Sequence, residues 1–455
     1  MPTLEIKPSG QLFFRDARPM ESATGSGGHG ASWPNPAVLF GALQAALHRS
    51  DLKECEQRNG HKFTSLKTAG PFPLCKSQWF FPFPSDIAPL GDSDFSFLSP
   101  SSEDDPTPSH LPGLRPLFSA AVPSKRKLPQ WLDKDGITQW LSNVTDLASH
   151  SLKDSDLFDC EWSTGIGRDD RSSVQNGQDI YSAEYLRLRD HVSLAMHATL
   201  PDKNGEEHLT QLFKQEDRVI VGGQQRLCSV SPKEDDNLLA HLPVSLTGEA
   251  CKGEDGKYRI KWLLLSPAIF PAIEEKEIAH RENEKSVEHP GGWLPNWIEP
   301  QENKVLLQII EKSERNQRRQ EKKEYRRNNK KTSRQPKSGT AITARLIAAS
   351  IPGPQIISSW KSHVRASSEE YKEGPDLSKN TARATPTQLA VPAGSVYYFE
   401  CEKLTDAENL IDALSWHAAN RENISHVARR RSTVFGEKGF GLGVCGTWLP
   451  HSKKS

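Results

Sequence analysis

The apolar positions at the start of the chain alternate with charged ones, which is the pattern of a strand. Leu4 and Ile6 alternate with charged residues, and Pro8 and Gly10 then indicate a turn or kink before the apolar run Leu12–Phe14. Short apolar runs bounded by Gly or Pro recur later in the chain. They predict three further strands, at residues 219–221, 258–265 and 396–399.

A helical period separates these strands. Asn35–Pro36 forms a favourable cap and first helical residue, and apolar side chains then recur on one face as far as about His48. Residues 128–147 predict a helical layer that the Asp-Gly pair at 135–136 interrupts. Two more helices are predicted at residues 303–310 and 406–417. Because strands and helices interleave, we expect an α+β or α/β architecture.

The composition is polar, which predicts folded domains interrupted by solvated insertions. The chain has 455 residues, of which 35% are hydrophobic, and its mean hydropathy is −0.63. This length allows two or three domains. The segment near 92–112 is rich in Ser, Asp, Glu and Pro, and we expect it to be a poorly ordered loop.

The sequence shows no signal for secretion or membrane insertion. Its first residues lack a basic start followed by an apolar run, and no apolar stretch approaches the roughly 18 residues of a spanning helix. The seven cysteines are scattered without a Cys-x-x-Cys pair, which argues against a disulfide framework and a zinc site. We therefore expect a cytoplasmic protein that does not contact membranes.

Charge is balanced over the whole chain and concentrated in one segment. Lys plus Arg and Asp plus Glu both number 58, so any affinity for nucleic acid must come from local patches. Residues 312–337 hold a large excess of Lys and Arg over Glu and almost no apolar residues. This segment is either a solvated insertion or an arm that contacts RNA.

Signature motifs of common enzymes are absent from the sequence. It has no phosphate loop, no His-Glu-x-x-His zinc helix and no Gly-x-Ser-x-Gly elbow. Two Gly-x-Gly-x-x-Gly stretches, at 25–30 and 441–446, lack the strand and helix context of a dinucleotide site. We predict no metal site and no cofactor. His29 in the first glycine loop is a candidate general base for RNA cleavage, although a lone loop histidine is usually just solvated.

Two other features favour contact with a nucleic-acid backbone. The segment 435–443 holds four glycines and follows three arginines at 429–431. Its backbone could approach a phosphate closely, the arginines could supply positive charge and Phe440 could stack on a base, although a turn-rich hairpin without ligand has the same composition. Asp16 and the pair at 169–170 are each flanked by arginines. We interpret these carboxylates as organisers of the arginines at a phosphate-binding surface.

The order of short motifs along the chain resembles the RAMP superfamily of CRISPR-associated proteins, and specifically the subunit-three family of type III-B (Cmr) effector complexes. The motifs are, in chain order, Leu12–Pro19 with the helix from Pro36, Gly70–Phe72, Phe81–Asp86, Thr164–Asp169, Gly222–Arg226, Leu265–Ala268, Ile351–Pro354, Val391–Tyr397 and the glycine loop. Each motif is short, but together they span nearly the whole chain. Ala17 departs from the family, which usually has Gly there.

The resemblance implies an α+β fold of two ferredoxin-like (RRM-like, RAMP) domains with long loop insertions. Residues 1–235 would form the first domain, with the insertion near 92–112. Residues 236–455 would form the second, with the basic insertion near 312–338 and the glycine-rich loop at 436–443.

The resemblance also implies a non-catalytic subunit in antiviral defence. It would grip the repeat-derived 5′ tag of the guide RNA (crRNA), dock on the polymerase-like large subunit and the backbone RAMP subunit, and meet target RNA only indirectly. The RNA-binding residues that the motifs imply are Arg15, Arg18, His29, Gly165, Ile166, Arg168, Arg226, Lys438, Gly439, Phe440 and Gly441.

Two other functions stay open at this point. One is a RAMP endoribonuclease that processes precursor guide RNA with His29 as its general base. The other is a protein–protein adaptor in which the basic segment at 312–337 is a solvated arm.

Overall fold

A computed structural model gives the fold of this chain. It describes residues 3–14, 30–49, 66–92, 94–103, 109, 113–168, 175–200, 205–215, 218–233, 237–273, 288–309, 340–358, 360–361, 383–384, 387–417, 424 and 426–451. None of the helices in these ranges is both long enough and apolar enough to cross a membrane.

Strands occur from the beginning to the end of the described residues. They are β1 Thr3–Pro8, β2 Lys67–Cys75, β3 Gln78–Pro82, β4 Ile87–Leu90, β5 Asp94–Pro100, β6 Leu117–Ser119, β7 Trp131–Asp133, β8 Ser151–Leu152, β9 Phe158–Arg168, β10 Gln175–Leu188, β11 Val192–Thr199, β12 Arg218–Val221, β13 Arg226–Lys233, β14 Tyr258–Leu264, β15 Gln308–Ile309, β16 Thr340–Ala341, β17 Arg345–Ser350, β18 Gln355–Ile357, β19 Trp360–Lys361, β20 Arg383–Ala384, β21 Gln388–Ala390, β22 Val396–Cys401 and β23 Gly443–Thr447.

Helices are fewer than strands in the described residues. They are α1 Pro36–Arg49, α2 Lys134–Leu141, α3 Asp154–Leu157, α4 Gly205–Gln215, α5 Leu238–His241 and α6 Leu404–Leu414, with 3-10 turns at Ala148–His150, Gly223–Gln225, Glu249–Cys251 and Gly436–Lys438. The mixed helix and sheet content agrees with the predicted class. The finer prediction of two ferredoxin-like domains, divided at residue 235, stays a prediction.

An eight-stranded antiparallel sheet holds the N-terminal strand near its middle. Its order is β12-β13-β1-β11-β2-β3-β7-β8. The predicted alternation places Leu4 and Ile6 in the core, where neither side chain is exposed. Helix α1 packs on this sheet, and the amide of Ala37 donates to Asn35 Oδ1 at 3.0 Å, so the predicted cap is confirmed.

A second antiparallel sheet is built from later parts of the chain. Its order is β17-β22-β14-β23, and α6 packs on it. The strands predicted at 219–221, 258–265 and 396–399 are confirmed as β12, β14 and β22. The helix predicted at 406–417 is confirmed as α6, although it begins and ends slightly earlier.

A shared hydrophobic cluster joins the two sheets. Phe81 and Trp140 from the first half of the chain pack with Leu263, Tyr398 and Val444 from the second. A buried polar contact lies within this cluster: Asp86 accepts hydrogen bonds from Trp140 Nε1 at 2.8 Å and from the Tyr398 hydroxyl at 2.9 Å. Burial raises the pKa of Asp86.

Lys261 of β14 is also completely enclosed in this region. Its ammonium lies 3.9 Å from the centre of the Trp140 ring and donates to Asn143 Oδ1 at 2.8 Å. Burial lowers the pKa of Lys261 to about 7. The two halves of the chain therefore share polar as well as apolar contacts.

Three predictions about secondary structure are wrong. The polar segment that begins at residue 92 was expected to be a poorly ordered loop, but it contains β5, which pairs with β4 and β6. Phe95 in this strand is buried against Phe83. Residues 104–108 and 110–112 of the segment lie outside the described residues.

The Asp-Gly pair at 135–136 does not interrupt a helix but lies inside α2. Asp133 caps that helix by accepting from the Gly136 amide at 2.8 Å. The helix predicted at 303–310 is not formed in the described residues 303–309, where Lys304 pairs with Arg345 and Gln308–Ile309 pairs with Thr340–Ala341.

We expect His197 to make stability depend on pH. Burial, assisted by the nearby Arg430 charge, lowers its pKa from 6.5 to about 3. Between these values the unfolded chain binds a proton that the folded chain does not, so the free energy of unfolding falls as pH falls. Between pH 7 and pH 5, the free energy of unfolding of His197→Gln should fall by about 2 kcal/mol less than that of the wild type. Urea unfolding at the two pH values measures the difference.

The matched control is His191→Gln, since His191 is exposed on the preceding turn. This variant should follow the wild-type pH dependence. Equal losses in the wild type and in His197→Gln would contradict the role given to the buried imidazole.

Candidate nucleic-acid interface

The N-terminal run Leu12–Phe14 is held by backbone hydrogen bonds to three other segments. Leu12 exchanges amide-to-carbonyl bonds of 2.7 and 2.8 Å with Leu186 of β10. The Phe13 carbonyl accepts from the Gly223 amide at 2.8 Å, and the Phe14 carbonyl accepts from the Ala31 amide at 2.7 Å. Phe14 and Ala31 therefore lie next to each other.

The first of these neighbours is a long hairpin formed by β9 and β10. Its register places Gly165 opposite Tyr181, Ile166 opposite Ile180 and Arg168 opposite Gln175, at the end of the hairpin far from Leu186. The side chains of residues 165–168 lie outside the described part of the structure. The predicted residues of this motif thus share one strand that projects from the segment bound to Leu12.

The second neighbour is the turn Gly222–Arg226. Gly222 has φ +72°, and a Cβ there would lie 2.6 Å from the Phe13 carbonyl oxygen. Only glycine fits this close approach. Gln224 and Gln225 also adopt left-handed backbone conformations, with φ of 56° and 51°, which non-glycine residues seldom do.

Arg226 packs on an aromatic side chain of the hairpin. Its guanidinium lies 5.0 Å from the centre of the Tyr185 ring, and the Phe13 ring lies 5.5 Å from the same ring. The Tyr185 hydroxyl donates to Gln224 Oε1 at 2.6 Å, and Arg226 Nη2 donates to that oxygen at 3.2 Å. The sequence analysis included Arg226 and missed Gln224, whose partner Tyr185 is distant in sequence.

The glycine-rich loop is built differently from the prediction. Phe440 is completely buried and packs with Ile269, Ile357 and Ala390. The amides of Gly439 and Gly441 donate to the carbonyls of Gly436 at 3.1 Å and Pro267 at 2.8 Å. The prediction that Phe440 stacks on a base and that these amides point to phosphates is therefore wrong. The Phe440 ring packs in the protein's own core, and the two amides donate to carbonyl groups of the same chain.

Lys438 remains at the edge of this loop. Its ammonium lies 4.0 Å from the centre of the Phe435 ring and 5.8 Å from that of Phe40 in α1. The side chain is half-buried. Lys438 thus lies beside the helix that follows the N-terminal glycine loop.

The three arginines before the loop act as internal ties. Arg429 forms an ion pair with Asp412 of α6, and Arg431 donates to the Ala413 carbonyl. Arg430 donates to the Thr68 carbonyl of β2 at 2.9 Å, and burial lowers its pKa to about 10. The expectation that these three arginines supply charge to RNA is therefore wrong. Their side chains instead hold the C-terminal segment against both sheets.

Several predicted residues lie outside the described residues. They are Arg15, Arg18, His29 and the organising carboxylates Asp16, Asp169 and Asp170, together with the whole basic segment at 312–337. Where the chain is described, no group of three or more His, Cys, Asp or Glu side chains is arranged to hold a metal ion.

A family model described as CRISPR-associated protein (Cas_Cmr3) matches residues 4–448. The chain belongs to this family. The resemblance inferred from the order of motifs is therefore confirmed. No curated protein sequence matches this Cas_Cmr3 chain.

Distant similarity to solved structures accompanies the family match. A structure of the type III-B Cmr-beta complex bound to cognate target RNA contains a chain with 11% identity and a TM-score of 0.38, covering 87% of this chain and 86% of that one. A Csm3–Csm4 subcomplex of a type III-A interference complex gives 10% identity and a TM-score of 0.31, covering 87% and 92%. Family membership rests on the sequence model alone.

We expect Gly222→Ala to destabilise the protein. The new methyl group would meet the Phe13 carbonyl and the residue would keep a left-handed φ, so the loss should be about 1–3 kcal/mol. Thermal unfolding followed by circular dichroism measures it. Gly10→Ala is the matched control, because a Cβ at Gly10 meets nothing within 4 Å; equal effects of the two substitutions would refute the close approach.

Proposed function

We propose that this Cas_Cmr3-family protein is a non-catalytic, cytoplasmic RNA-binding subunit of a type III-B CRISPR effector complex. It grips the repeat-derived 5′ tag of the guide RNA and docks on the polymerase-like large subunit and the backbone RAMP subunit. It meets target RNA only indirectly.

The observation that carries this proposal is the convergence of three motif segments. Leu12–Phe14, the base of the β9–β10 hairpin and the turn at 222–226 are bonded to one another through the Phe13 carbonyl, Leu186 and Tyr185. Each segment leads directly to residues expected to bind RNA. An arginine stacked on a tyrosine beside exposed turns suits single-stranded RNA, which is bound through its phosphates and unstacked bases.

Charge supports a local site. Because the whole chain is neutral, binding must rely on a few cations. Arg226 is held in a defined orientation on the Tyr185 ring, and Arg15 and Arg18 directly follow the bonded run Leu12–Phe14. The composite site therefore needs no large basic surface.

The docking part of the proposal has support from an apolar groove. It encloses about 720 Å³, and its walls include Leu114, Pro116, Trp293, Ile351 and Val391. Ile356 and Leu389 face each other across strands β18 and β21 next to the groove and are 53% and 56% exposed. Large apolar side chains exposed together are typical of a protein interface.

We expect Arg226→Ala to weaken binding of the guide RNA. Losing one cation beside the RNA should lower affinity about tenfold and reduce the slope of log K against log salt by about 0.7. Fluorescence anisotropy over a range of salt concentrations measures both. Lys438→Ala should act in the same direction.

Two controls make this test specific. Arg226→Lys keeps the charge and should restore the salt slope while recovering only part of the affinity, because an ammonium lacks the planar face that lies on Tyr185. Lys252→Ala removes an exposed charge from a 3-10 turn near the second sheet and should change nothing. Unchanged affinity and slope in Arg226→Ala would argue against the site.

We also expect the purified protein to leave RNA intact. Repeat RNA incubated with it in the absence of metal should run unchanged on a denaturing gel, since the proposal assigns the protein no catalytic residue. Cleavage that disappears in His29→Ala would replace the proposal with the endoribonuclease. Binding to partner subunits without any binding to RNA would favour the adaptor.

A further inference from the structure

Gln224 presents an amide group of fixed orientation to solvent. Its side chain is exposed, while its Oε1 atom accepts two hydrogen bonds, from the Tyr185 hydroxyl at 2.6 Å and from Arg226 Nη2 at 3.2 Å. A carboxamide oxygen has two lone pairs, so its acceptor capacity is filled. The two N–H donors on the other side of the amide have no partner within the described residues.

The orientation of this amide follows from donor and acceptor chemistry. A guanidinium has only donors, so the Gln224 atom 3.2 Å from Arg226 Nη2 must be the oxygen. Turning the amide over would place N–H against N–H and would also leave the arginine unsatisfied. The NH₂ group therefore faces away from Tyr185.

The support beneath Gln224 is rigid. Tyr185 is 5% exposed, and its ring lies close to both the Phe13 ring and the Arg226 guanidinium. The backbone at Gln224 has a left-handed φ of 56°, and Gly223 next to it is bonded to the Phe13 carbonyl. A donor held in this way loses little conformational freedom when it meets a ligand.

We propose that Gln224 reads one base of the guide RNA as a fixed hydrogen-bond donor. This inference rests on the proposed function and names a specificity residue within that site. The group it recognises is an acceptor on a base edge, such as a pyrimidine carbonyl oxygen or a purine N7. The two-bond pairing of an amide with adenine does not apply, because that pairing needs the oxygen that Tyr185 and Arg226 occupy.

A base edge suits this donor better than a phosphate does. The amide is neutral, and the charged Arg226 lies directly beside it to take the phosphate. Phosphate contacts position an RNA without reading it, whereas a donor aimed at a base edge distinguishes one base from another. Single-stranded tags expose those edges because their bases can unstack.

The test compares Gln224→Glu with Gln225→Glu. Both residues are exposed, adjacent and left-handed, and both substitutions add one negative charge, but Gln225 makes neither of the two bonds that Gln224 makes. The protein is expressed with its CRISPR array, and the RNA that copurifies is sequenced and resynthesised. A set of RNAs then replaces each tag nucleotide in turn, and the affinity of each is measured.

We expect both variants to bind every RNA somewhat more weakly because of the added charge. Only Gln224→Glu should lose the wild-type preference at one tag position, by about fivefold. At that position it should come to favour bases with an amino group, since a carboxylate is an acceptor. Thermal unfolding of both variants checks that they fold.

The possible failures are distinct. If the wild type binds scrambled RNA as well as tag RNA, the proposed tag recognition fails. If the wild type prefers the tag but the two variants give the same profile, the tag site stands and the role of Gln224 is refuted. A uniform extra loss in Gln224→Glu at every position, with the wild-type preference kept, would show only that the new carboxylate pairs with Arg226 and would likewise overturn base reading.

Discussion

One buried carboxylate determines how the two sheets meet. Asp86 is 1% exposed and accepts hydrogen bonds from Trp140 of α2 and from Tyr398 of β22, so it satisfies donors from both halves of the chain. Leaving the Trp140 donor without a partner in this apolar setting would cost about 1–3 kcal/mol. The sheets are therefore restricted to the arrangement in which both bonds form, and in this arrangement Lys438 of the second half lies beside Phe40 of α1.

The candidate interface depends on backbone bonds more than on charge. The carbonyl groups of Phe13 and Phe14 bind two separate segments, and one of these, the turn at 222–226, carries Arg226 to the Tyr185 ring. The arginines that look most available in the sequence, at 429–431, instead bind carbonyl and carboxylate groups of their own chain. Local geometry rather than basic composition thus selects the side chains that can face RNA.

Sequence patterns predicted the elements that have a clear local period and missed those fixed by contacts between distant residues. Strand β1 and helix α1 follow from side-chain period and capping, which are local properties. Strand β5 was missed because the segment around it is polar. Phe95 in this strand is buried against Phe83, and no pattern within the segment itself indicates that contact. The glycine loop was misinterpreted because the sequence does not distinguish a glycine that approaches a ligand from one that approaches its own chain. Gly441 is of the second kind, since a Cβ there would lie 2.0 Å from the Ser432 nitrogen.

The bonds made by the run Leu12–Phe14 have a consequence for the order of folding. Their partners Leu186 and Gly223 lie far along the chain from this run. Contacts between residues distant in sequence must first offset the entropy of closing the chain between them. During synthesis the N-terminal strand therefore waits for the turn at 222–226, and we expect the candidate RNA interface to be among the last parts of this half of the chain to form.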